Sequence, residues 1–449
     1  MTDMVVWLRE NGITEVECLV ADQSGIARGK ILPAAKFIRS LEDDSLRIPE
    51  DLFVQTVTGN FPEEQENRVT DPAMRDVRLR PDPRSLRMVP WYDEPTAQVI
   101  GDCYQHDGSV LEIAPRQVLR RVLTAYEERG WRPVVAPELE FFLTRVNEDP
   151  DYPLEPPIGQ SKRPESGSQS FGIEAINEFD PVFDDVYDWC EAQALDVDTL
   201  THEGGAAQME MNFNHGDALA LADQVFLFKR TVRKAALKHD MYATFMAKPM
   251  ENQPGSAMHI HQSVVEAKSG KNIFAKRNGD HTKLFTNHIA GLQKHLPAAM
   301  PLLAPNVNSY RRLRRYSDAP INLHWGWENR TVGLRVPEAG RDARRVENRV
   351  AGADANPYLA IAASLVCGFL GMTSRLQPTK PIEGSAYRLA QTLPRYLPDA
   401  LDALRRSKPL RAVLGETFVD ALIMVKEIEH RAYQQVISSW EREHLLLNV

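Results

Sequence analysis

Apolar and polar residues alternate along several short stretches of this chain, and this alternation predicts strands. The strongest candidate is WRPVVAPELEFFLTRV (131–146). An earlier strand is predicted at EVECLVAD (15–22), followed by a turn at QSGIARGK (23–30). The stretch TAQVIGDCYQHDGS (96–109) predicts a hairpin, because Asp107 and Gly108 form a strong turn signal.

Helical periodicity and capping residues predict helices between these strands. They fall at 2–12, 114–130, 178–194, 216–239, 281–297 and 358–372. The last of them is apolar throughout but falls short of the about 18 to 20 residues that span a membrane, so it is interpreted as a buried helix. The chain is long enough for two domains, and the helix that begins near 113 suggests a division into 1–112 and 113–449.

One long segment has no periodicity. Residues 147–170 are rich in Pro, Ser, Gly and charged residues, a composition typical of a mobile surface loop. A loop of this length inside a compact domain is often a lid or a specificity element.

Composition narrows the class of protein. Apolar residues make up 43% and charged residues 26% of the 449, and the net charge is −9, which argues against a general nucleic-acid binder. The four cysteines are far apart, so neither a disulfide framework nor a cysteine zinc site is expected. No apolar signal segment opens the chain, and we therefore expect a cytoplasmic protein without membrane contact.

Glu138 and Glu140 lie two residues apart in APELEFF, so a strand would present both carboxylates on one face. An ionised carboxylate in an apolar setting is costly unless it is paired or holds a metal ion. The simpler interpretation is an exposed strand face. Phe141 and Phe142 indicate a buried strand instead, and this favours a metal site.

The stretch GSAMHIHQS (255–263) shows a similar pattern. On a strand, His259, His261 and Ser263 point to the same face. Two imidazoles and a hydroxyl on one face, in a chain with only 12 histidines, indicate that this strand lines a site.

Two further acidic motifs leave alternatives open. Glu203 and Glu210 in HEGGAAQMEMNF converge only if the GGAA between them bends; otherwise Glu203 lies in a loop and Glu210 is solvated. In RRVENR, a strand would place Arg345, Glu347 and Arg349 on one face. They form either an exposed ladder worth under about 1 kcal/mol per pair, or a carboxylate ligand flanked by two anion-binding guanidinium groups.

Arginines gather in NSYRRLRRYSDAP (308–320) and ENRTVGLRVPE (328–338). In an acidic chain these runs favour a polyphosphate site over a nucleic-acid patch, since arginine suits bidentate contacts to phosphate and carboxylate. The chain has no GxxxxGK[ST] phosphate loop and no GxGxxG motif after a strand. A nucleotide would therefore be held by metal ions and arginine.

Seven motifs together resemble the glutamine synthetase superfamily, in the family's order and along most of the chain. They are VADQSGIARGK, APELEFF, HEGGAAQMEM, KPMENQPGSAMHIHQS, NSYRRL, ENRTVGLRVP and RRVENRVAGADANPYL. The resemblance implies an α+β fold, with a β-grasp-like N-terminal domain and a large catalytic α/β domain with a curved antiparallel sheet. It also implies a homo-oligomer, a dodecamer of two hexameric rings, whose active sites lie between neighbouring subunits.

The resemblance implies two or more Mg²⁺ or Mn²⁺ ions per site, because oxygen-rich ligand sets suit these ions. One ion would be bound by Glu138, His259 and Glu347, and another by Glu140, Glu203 and Glu210. ATP, as co-substrate, would contact His261, Ser263, Arg330 and Arg345.

The remaining motifs are implied to bind glutamate and to assist the reaction. The residues implied to hold glutamate are Gly255, Arg312 and Arg349, with Glu203 also beside the substrates. Arg330, Arg335 and Arg345 would neutralise charge during phosphoryl transfer from ATP to the γ-carboxylate. Asp22 of a neighbouring subunit would take a proton from the incoming amine, and Asp318 would be the acid of the flap over the site.

Three positions depart from the pattern of true glutamine synthetases. Ser170 stands where a tyrosine of the ammonium pocket is usual, Pro254 stands where an asparagine is usual, and the surroundings of Tyr387 differ from those of the regulatory tyrosine. The loss of a polar wall favours a nucleophile bulkier than ammonium, and QSFGIEAINEFDPVFDDVYDWCE resembles the γ-glutamylpolyamine synthetase branch. A ligase joining glutamate to a polyamine or monoamine is therefore predicted. The alternatives are glutamine synthetase itself, a non-catalytic structural or sensing homologue, and a ligase or kinase for another acid.

Overall fold

A computed structural model describes residues 2–67 and 69–449 of the chain. Two β-sheets organise it, and the smaller one lies in the N-terminal part. Its strands are β1 (Glu15–Ala21), β2 (Ala27–Pro33), β3 (Arg47–Pro49), β4 (Asp76–Pro81), β5 (Arg87–Val89) and β6 (Thr96–Tyr104). They are arranged in the order β2-β1-β6-β4-β3, with β5 beside β6 and with β1 and β6 parallel.

The larger sheet has nine strands and lies in the second part of the chain. The strands are β7 (Trp131–Arg145), β8 (Val197–His202), β9 (Gln208–Phe213), β10 (Gly216–Asp217), β11 (Met241–Thr244), β12 (Met258–Glu266), β13 (Trp325–Trp327), β14 (Leu334–Val336) and β15 (Val346–Asn348). Their order is β13-β14-β15-β12-β7-β9-β8, with β10 and β11 also paired to β7. All these pairs are antiparallel except β13–β14.

Helices cover the sheets and fill the space between them. They are α1 (Thr2–Glu10), α2 (Ala34–Glu42), α3 (Pro115–Glu127), α4 (Ile173–Asn177), α5 (Asp180–Ala192), α6 (Ala218–Lys238), α7 (Lys283–Leu303), α8 (Val307–Arg312), α9 (Pro357–Thr373), α10 (Leu397–Arg406), α11 (Lys408–Leu414), α12 (Glu416–Gln434) and α13 (Ser439–Leu445). Short 3₁₀ turns occur at Glu50–Val54, Pro83–Ser85, Arg341–Ala343 and Ala386–Arg388.

The predicted helices are confirmed, with shifts at their ends. Helix α9 is buried along nearly its whole length, as its apolar sequence predicted. Helix α7 continues past the predicted end at residue 297 to Leu303, with Pro297 and Pro301 inside it. Within the described ranges, none of the helices combines the length and the apolar character needed to cross a membrane.

Two predictions for the N-terminal sheet are wrong in part. The turn predicted at 23–30 is shorter, and Ala27–Pro33 forms the edge strand β2. Most of β2 is exposed on both faces, so its sequence carries no alternation. The predicted hairpin at 96–109 has strand β6, but after its turn only one bridge, between Tyr104 and Val110, continues the pairing.

A buried ionic cluster joins the N-terminal sheet to the helices behind the larger one. Arg116 on α3 donates hydrogen bonds to Asp82, Asp102 and Asp223 at 2.7–2.9 Å. Burial alone would raise the pKa of Asp82, but hydrogen bonds from Arg84 and Arg116 hold it well below the ordinary value. Asp82 is therefore charged at neutral pH, and Arg116 connects the two parts of the chain through its three carboxylate partners.

Candidate active site

Strands β7 and β12 build the floor of the site. The register places His259 opposite Glu138, and His261 opposite Ala136. Because side chains alternate along each strand, Glu138, Glu140, His259 and His261 share one face of the sheet. Oε2 of Glu138 lies 3.4 Å from Nδ1 of His259.

The first predicted ligand set comes together in the structure. Glu138, His259 and Glu347 each offer a ligand atom, and these atoms all lie within 4.8 Å of one another. Nδ1 of His259 is buried without a hydrogen-bond partner among the described residues. An unsatisfied imidazole nitrogen beside two carboxylates suits a divalent cation.

The second predicted set comes together only in part. Glu140 and Glu210 are direct partners across β7 and β9, and they form a second group with His259. Nε2 of His259 lies 3.8 Å from Oε1 of Glu140. Glu203 belongs to neither group. It lies on the bend between β8 and β9, as the GGAA sequence suggested, and the charge of Glu140 still acts on it.

Burial and, after it, an excess of negative charge determine the electrostatics of these groups. Burial, followed by the charges of Glu140 and Glu138, raises the pKa of Glu210 to about 9. Burial and Glu140 raise the pKa of Glu203 to about 7, against the opposing effect of Arg330. The residues thus fit divalent cations, which would relieve the repulsion.

Glu347 is paired with two arginines. It is fully buried, and it accepts hydrogen bonds from Arg349 at 2.5 Å and from Arg335 at 2.8 Å. Burial would raise its pKa, but neighbouring groups, among which Arg349 has the largest effect, lower it to about 2. Arg335 also donates to Glu328, at 2.9 Å. Both arginines therefore orient Glu347 in this structure.

His261 is held between two partners. Nε of Arg345 donates to Nδ1 of His261 at 3.0 Å, and Nε2 of His261 lies 2.7 Å from Oε1 of Glu138. Because arginine can only donate, Nδ1 is an acceptor, and the ring proton is on Nε2, where it faces Glu138. Arg345 thus fixes both the tautomer and the orientation of His261.

A cavity of about 550 Å³ opens beside this pair. Residues that line it include His261, Ser263, Arg345, Asn212 and Phe213. Its size is in the range of small-molecule sites, and its walls combine basic, polar and apolar groups. Three of the four residues predicted to contact a nucleotide therefore line one cavity. The fourth, Arg330, is exposed and is not part of its wall.

Gly255 and Arg312 are in close contact. A Cβ on Gly255 would lie 2.6 Å from the carbonyl oxygen of Ala247 and 2.6 Å from Cγ of Arg312, so only glycine fits. Arg312 is buried and donates to the carbonyls of Val350 and Arg349, at 2.8 and 2.9 Å.

Two predicted residues lie outside the cluster. Asp318 is exposed, with a positive φ of 57°, and its charge acts on Tyr387. Asp22 is buried in the turn before β2, where it accepts hydrogen bonds from the backbone of Ser24 and Ile26 and from Arg28, each at 2.9 Å. Its role in a neighbouring subunit stays a prediction.

Sequence reasoning missed Gln208. Its buried amide accepts from the backbone of Gly205 at 2.9 Å and donates to the carbonyl of Gly255 at 3.0 Å and to Glu140 at 3.4 Å. It therefore connects the Glu203 bend, the Gly255 segment and the carboxylate cluster. No sequence pattern marks a glutamine for this role.

The two departures at Ser170 and Pro254 meet at one point. A Cβ on Gly204 would lie 3.5 Å from Oγ of Ser170 and 3.6 Å from Cγ of Pro254. Both residues therefore flank the backbone next to Glu203. Asp185, in the stretch that resembles the γ-glutamylpolyamine synthetase branch, contacts Lys238 and His239 at 2.7 and 2.6 Å.

Comparison with known proteins agrees with this geometry. Residues 112–445 match the family model described as the glutamine synthetase catalytic domain. Gamma-glutamylputrescine synthetase PuuA of Escherichia coli (strain K12) is 35% identical over 439 residues, which cover 96% of this chain and 92% of that protein. Glutamate–isopropylamine ligase of a Pseudomonas species is 31% identical over 442 residues, covering 97% and 95%. The solved structure of GmaS in complex with ADP has a TM-score of 0.85 at 26% identity and covers 99% of this chain and 100% of that one.

Proposed function

This chain belongs to the glutamine synthetase family, and we propose that it is an ATP-dependent ligase that joins the γ-carboxylate of glutamate to an organic amine. The observation that carries the choice of amine is the meeting of Ser170 and Pro254 at Gly204. Relatives named for putrescine and isopropylamine support it.

The proposed reaction begins with transfer of the γ-phosphoryl group of ATP to glutamate. The amine nitrogen then forms a bond to the γ-carbonyl carbon, and the bond to phosphate breaks. Mg²⁺ or Mn²⁺, bound by Glu138, His259 and Glu347 and by the Glu140–Glu210 group, would supply charge neutralisation.

The chain's own residues bind and orient the substrates in this proposal. The cavity beside His261, Ser263 and Arg345 takes ATP, with Arg330 near its phosphates. Arg312 uses two of its five N–H groups to donate hydrogen bonds to backbone carbonyls. The other three N–H groups can donate to a glutamate carboxylate. Burial lowers the pKa of Arg312 to about 10, so it is charged at neutral pH.

The amine is proposed to lie against Ser170, Gly204 and Pro254. A side-chain hydroxyl on serine reaches less far than one on tyrosine, and proline presents an apolar ring. This wall leaves room for the alkyl chain of an organic amine and offers it an apolar contact. Ammonium has no alkyl chain and gains nothing from either. An amine cation must lose a proton before it attacks, and we propose that Asp22 of a neighbouring copy accepts it, in a cytoplasmic ring-shaped homo-oligomer.

The test is phosphate release from ATP with Mg²⁺ and glutamate, with ammonium, monoamines and polyamines added one at a time. Turnover with an organic amine and little with ammonium is expected. Glu138→Gln is the inactive control, and Glu155→Gln on the exposed loop is the matched active one. Strong turnover with ammonium would favour the second candidate, glutamine synthetase, and no turnover in protein that binds ATP would favour a non-catalytic homologue.

A further inference from the structure

A single carboxylate on the 147–170 loop bridges both ends of the bend that carries Glu203. Oε1 of Glu165 lies 2.9 Å from Nε2 of His202, at the end of β8. Its Oε2 accepts a hydrogen bond of 2.5 Å from the backbone N–H of Ala207, just before β9. Ala207 has a positive φ of 52°, a conformation that needs support from its surroundings.

The contact to His202 continues to Glu203. The imidazole of His202 is fully buried, and its Nδ1 donates to the carbonyl oxygen of Glu203 at 2.7 Å. The N–H of Glu203 donates to the carbonyl oxygen of Gln208, also at 2.7 Å. The N–H and the C=O of Glu203 are therefore both hydrogen-bonded. These bonds fix the backbone conformation of Glu203 and, with it, the direction in which its side chain points.

The end of the loop lies on the same bend. The N–H of Ser168 donates to the carbonyl of Gly204, and that of Phe171 donates to the carbonyl of His202, both at 2.9 Å. The loop thus covers the bend through backbone as well as side-chain bonds. Its earlier part is more exposed, and its Glu155 pairs with the exposed Arg145, at 2.7 Å.

We infer that Glu165 is a positioning residue that holds the 202–207 bend, through His202 and Ala207, in the conformation that presents Glu203 to the divalent cation and the amine. This inference rests on the proposed function for the identity of the ligands. If Glu165 has this role, packing of the 147–170 loop on the bend and binding of the cation stabilise each other, because both need the same conformation of the bend. Partners that orient metal ligands in this way are typically worth about 10- to 100-fold in affinity.

The experiment measures Mn²⁺ binding by calorimetry, without ATP or amine, together with proteolytic cleavage within 147–170. We expect Glu165→Ala to weaken at least one Mn²⁺ site about tenfold or more, and Mn²⁺ to slow cleavage of the wild-type loop but not of this variant's. Glu165→Gln should retain part of both effects, because its amide oxygen can still accept from Ala207, whereas the charge that faces Nε2 of His202 is lost. Glu155→Ala, on the same loop, is the matched control and should bind Mn²⁺ like the wild type.

Glu165→Ala protein with wild-type Mn²⁺ affinity and wild-type protection of the loop would overturn the inference and leave the proposed function intact. Wild-type protein that binds no Mn²⁺ would overturn both. A loss of affinity in Glu165→Gln as large as that in Glu165→Ala would also contradict it, since the bond to the backbone of Ala207, which the amide retains, would then contribute nothing.

Discussion

Glu140 and Glu210 face each other directly across strands β7 and β9, two acids where a sheet ordinarily pairs opposite charges or apolar groups. Glu140 is buried and accepts a hydrogen bond of 2.7 Å from the backbone of Ala257. Like charges in this arrangement destabilise a sheet. The chain therefore gives up stability at the place where it gathers ligand atoms.

The first prediction concerns this pair. Because the pKa of Glu210 is raised to about 9 in the folded, metal-free protein, this side chain must take up a proton there at neutral pH. Glu210→Gln removes that cost, so we expect the free energy of unfolding of the metal-free protein to rise by at least about 1 kcal/mol. Mn²⁺ should stabilise the wild type more than the variant, which keeps only the group of Glu138, His259 and Glu347 intact. Thermal unfolding in chelator and in Mn²⁺ measures both. Glu266→Gln, at the exposed end of β12, is the control, and a Glu210→Gln protein that melts lower in chelator would contradict the prediction.

The second prediction concerns the proposed amine wall. Ser170→Tyr combined with Pro254→Asn should lower kcat/KM for the best organic amine tenfold or more, because it fills and polarises the space beside Gly204. A tenfold loss corresponds to about 1.4 kcal/mol. The value of kcat/KM for ammonium should stay unchanged or rise. Ser161→Tyr, at an exposed position of the same loop, should change neither, and an equal loss for both substrates would count against the wall.

The third prediction is a pH dependence of stability. Burial lowers the pKa of Lys229 from 10.5 to about 7. Its Nζ donates to the carbonyls of Ala353 and Ala355, at 2.6 and 2.8 Å, and a neutral amine has the two N–H groups that these acceptors need. Between pH 7 and 10.5 the unfolded chain binds the proton and the folded chain does not. The contribution of Lys229 to stability therefore increases as pH rises through this window.

Urea unfolding of the wild type and Lys229→Met at pH 6 and pH 10 tests this. The loss of stability caused by the substitution should be larger at pH 10, since at pH 6 the wild type also carries the cost of a buried charge. Lys234→Met, at an exposed position of the same helix, should show equal differences at both values. An equal loss of stability at pH 6 and pH 10 for Lys229→Met would contradict the lowered pKa of Lys229.

The fourth prediction concerns the ionic cluster between the two parts of the chain. Arg116→Met leaves buried carboxylates without their common partner, so we expect a loss of about 3–5 kcal/mol in the free energy of unfolding. Arg120 donates to two of the same carboxylates, Asp82 and Asp102, but is partly exposed. Arg120→Met should therefore cost much less. Equal losses of stability for Arg116→Met and Arg120→Met would contradict the prediction, because burial of the arginine would then not determine the size of the loss.

Periodicity predicted the part of the site that lies on regular strands. The spacing of Glu138 and Glu140, and that of His259 and His261, fixes which side chains share a face, and pairing of the two strands brings them together. The contacts of Glu165 and Gln208 had no such signal. They depend on the conformations of a loop and a bend, which follow from many weak tertiary contacts that leave no repeating pattern in the sequence.

The core of the N-terminal sheet contains two residues from the far end of the chain, Ala421 and Val425 of α12. A ribosome delivers the six strands of this sheet long before it delivers α12. The sheet can pair as it emerges, but its core closes only after α12 has left the ribosomal exit tunnel. Folding of the N-terminal part is therefore completed only when the C-terminal part has been synthesised. A chain that is truncated before α12 would contain all six strands of this sheet but lack part of its core.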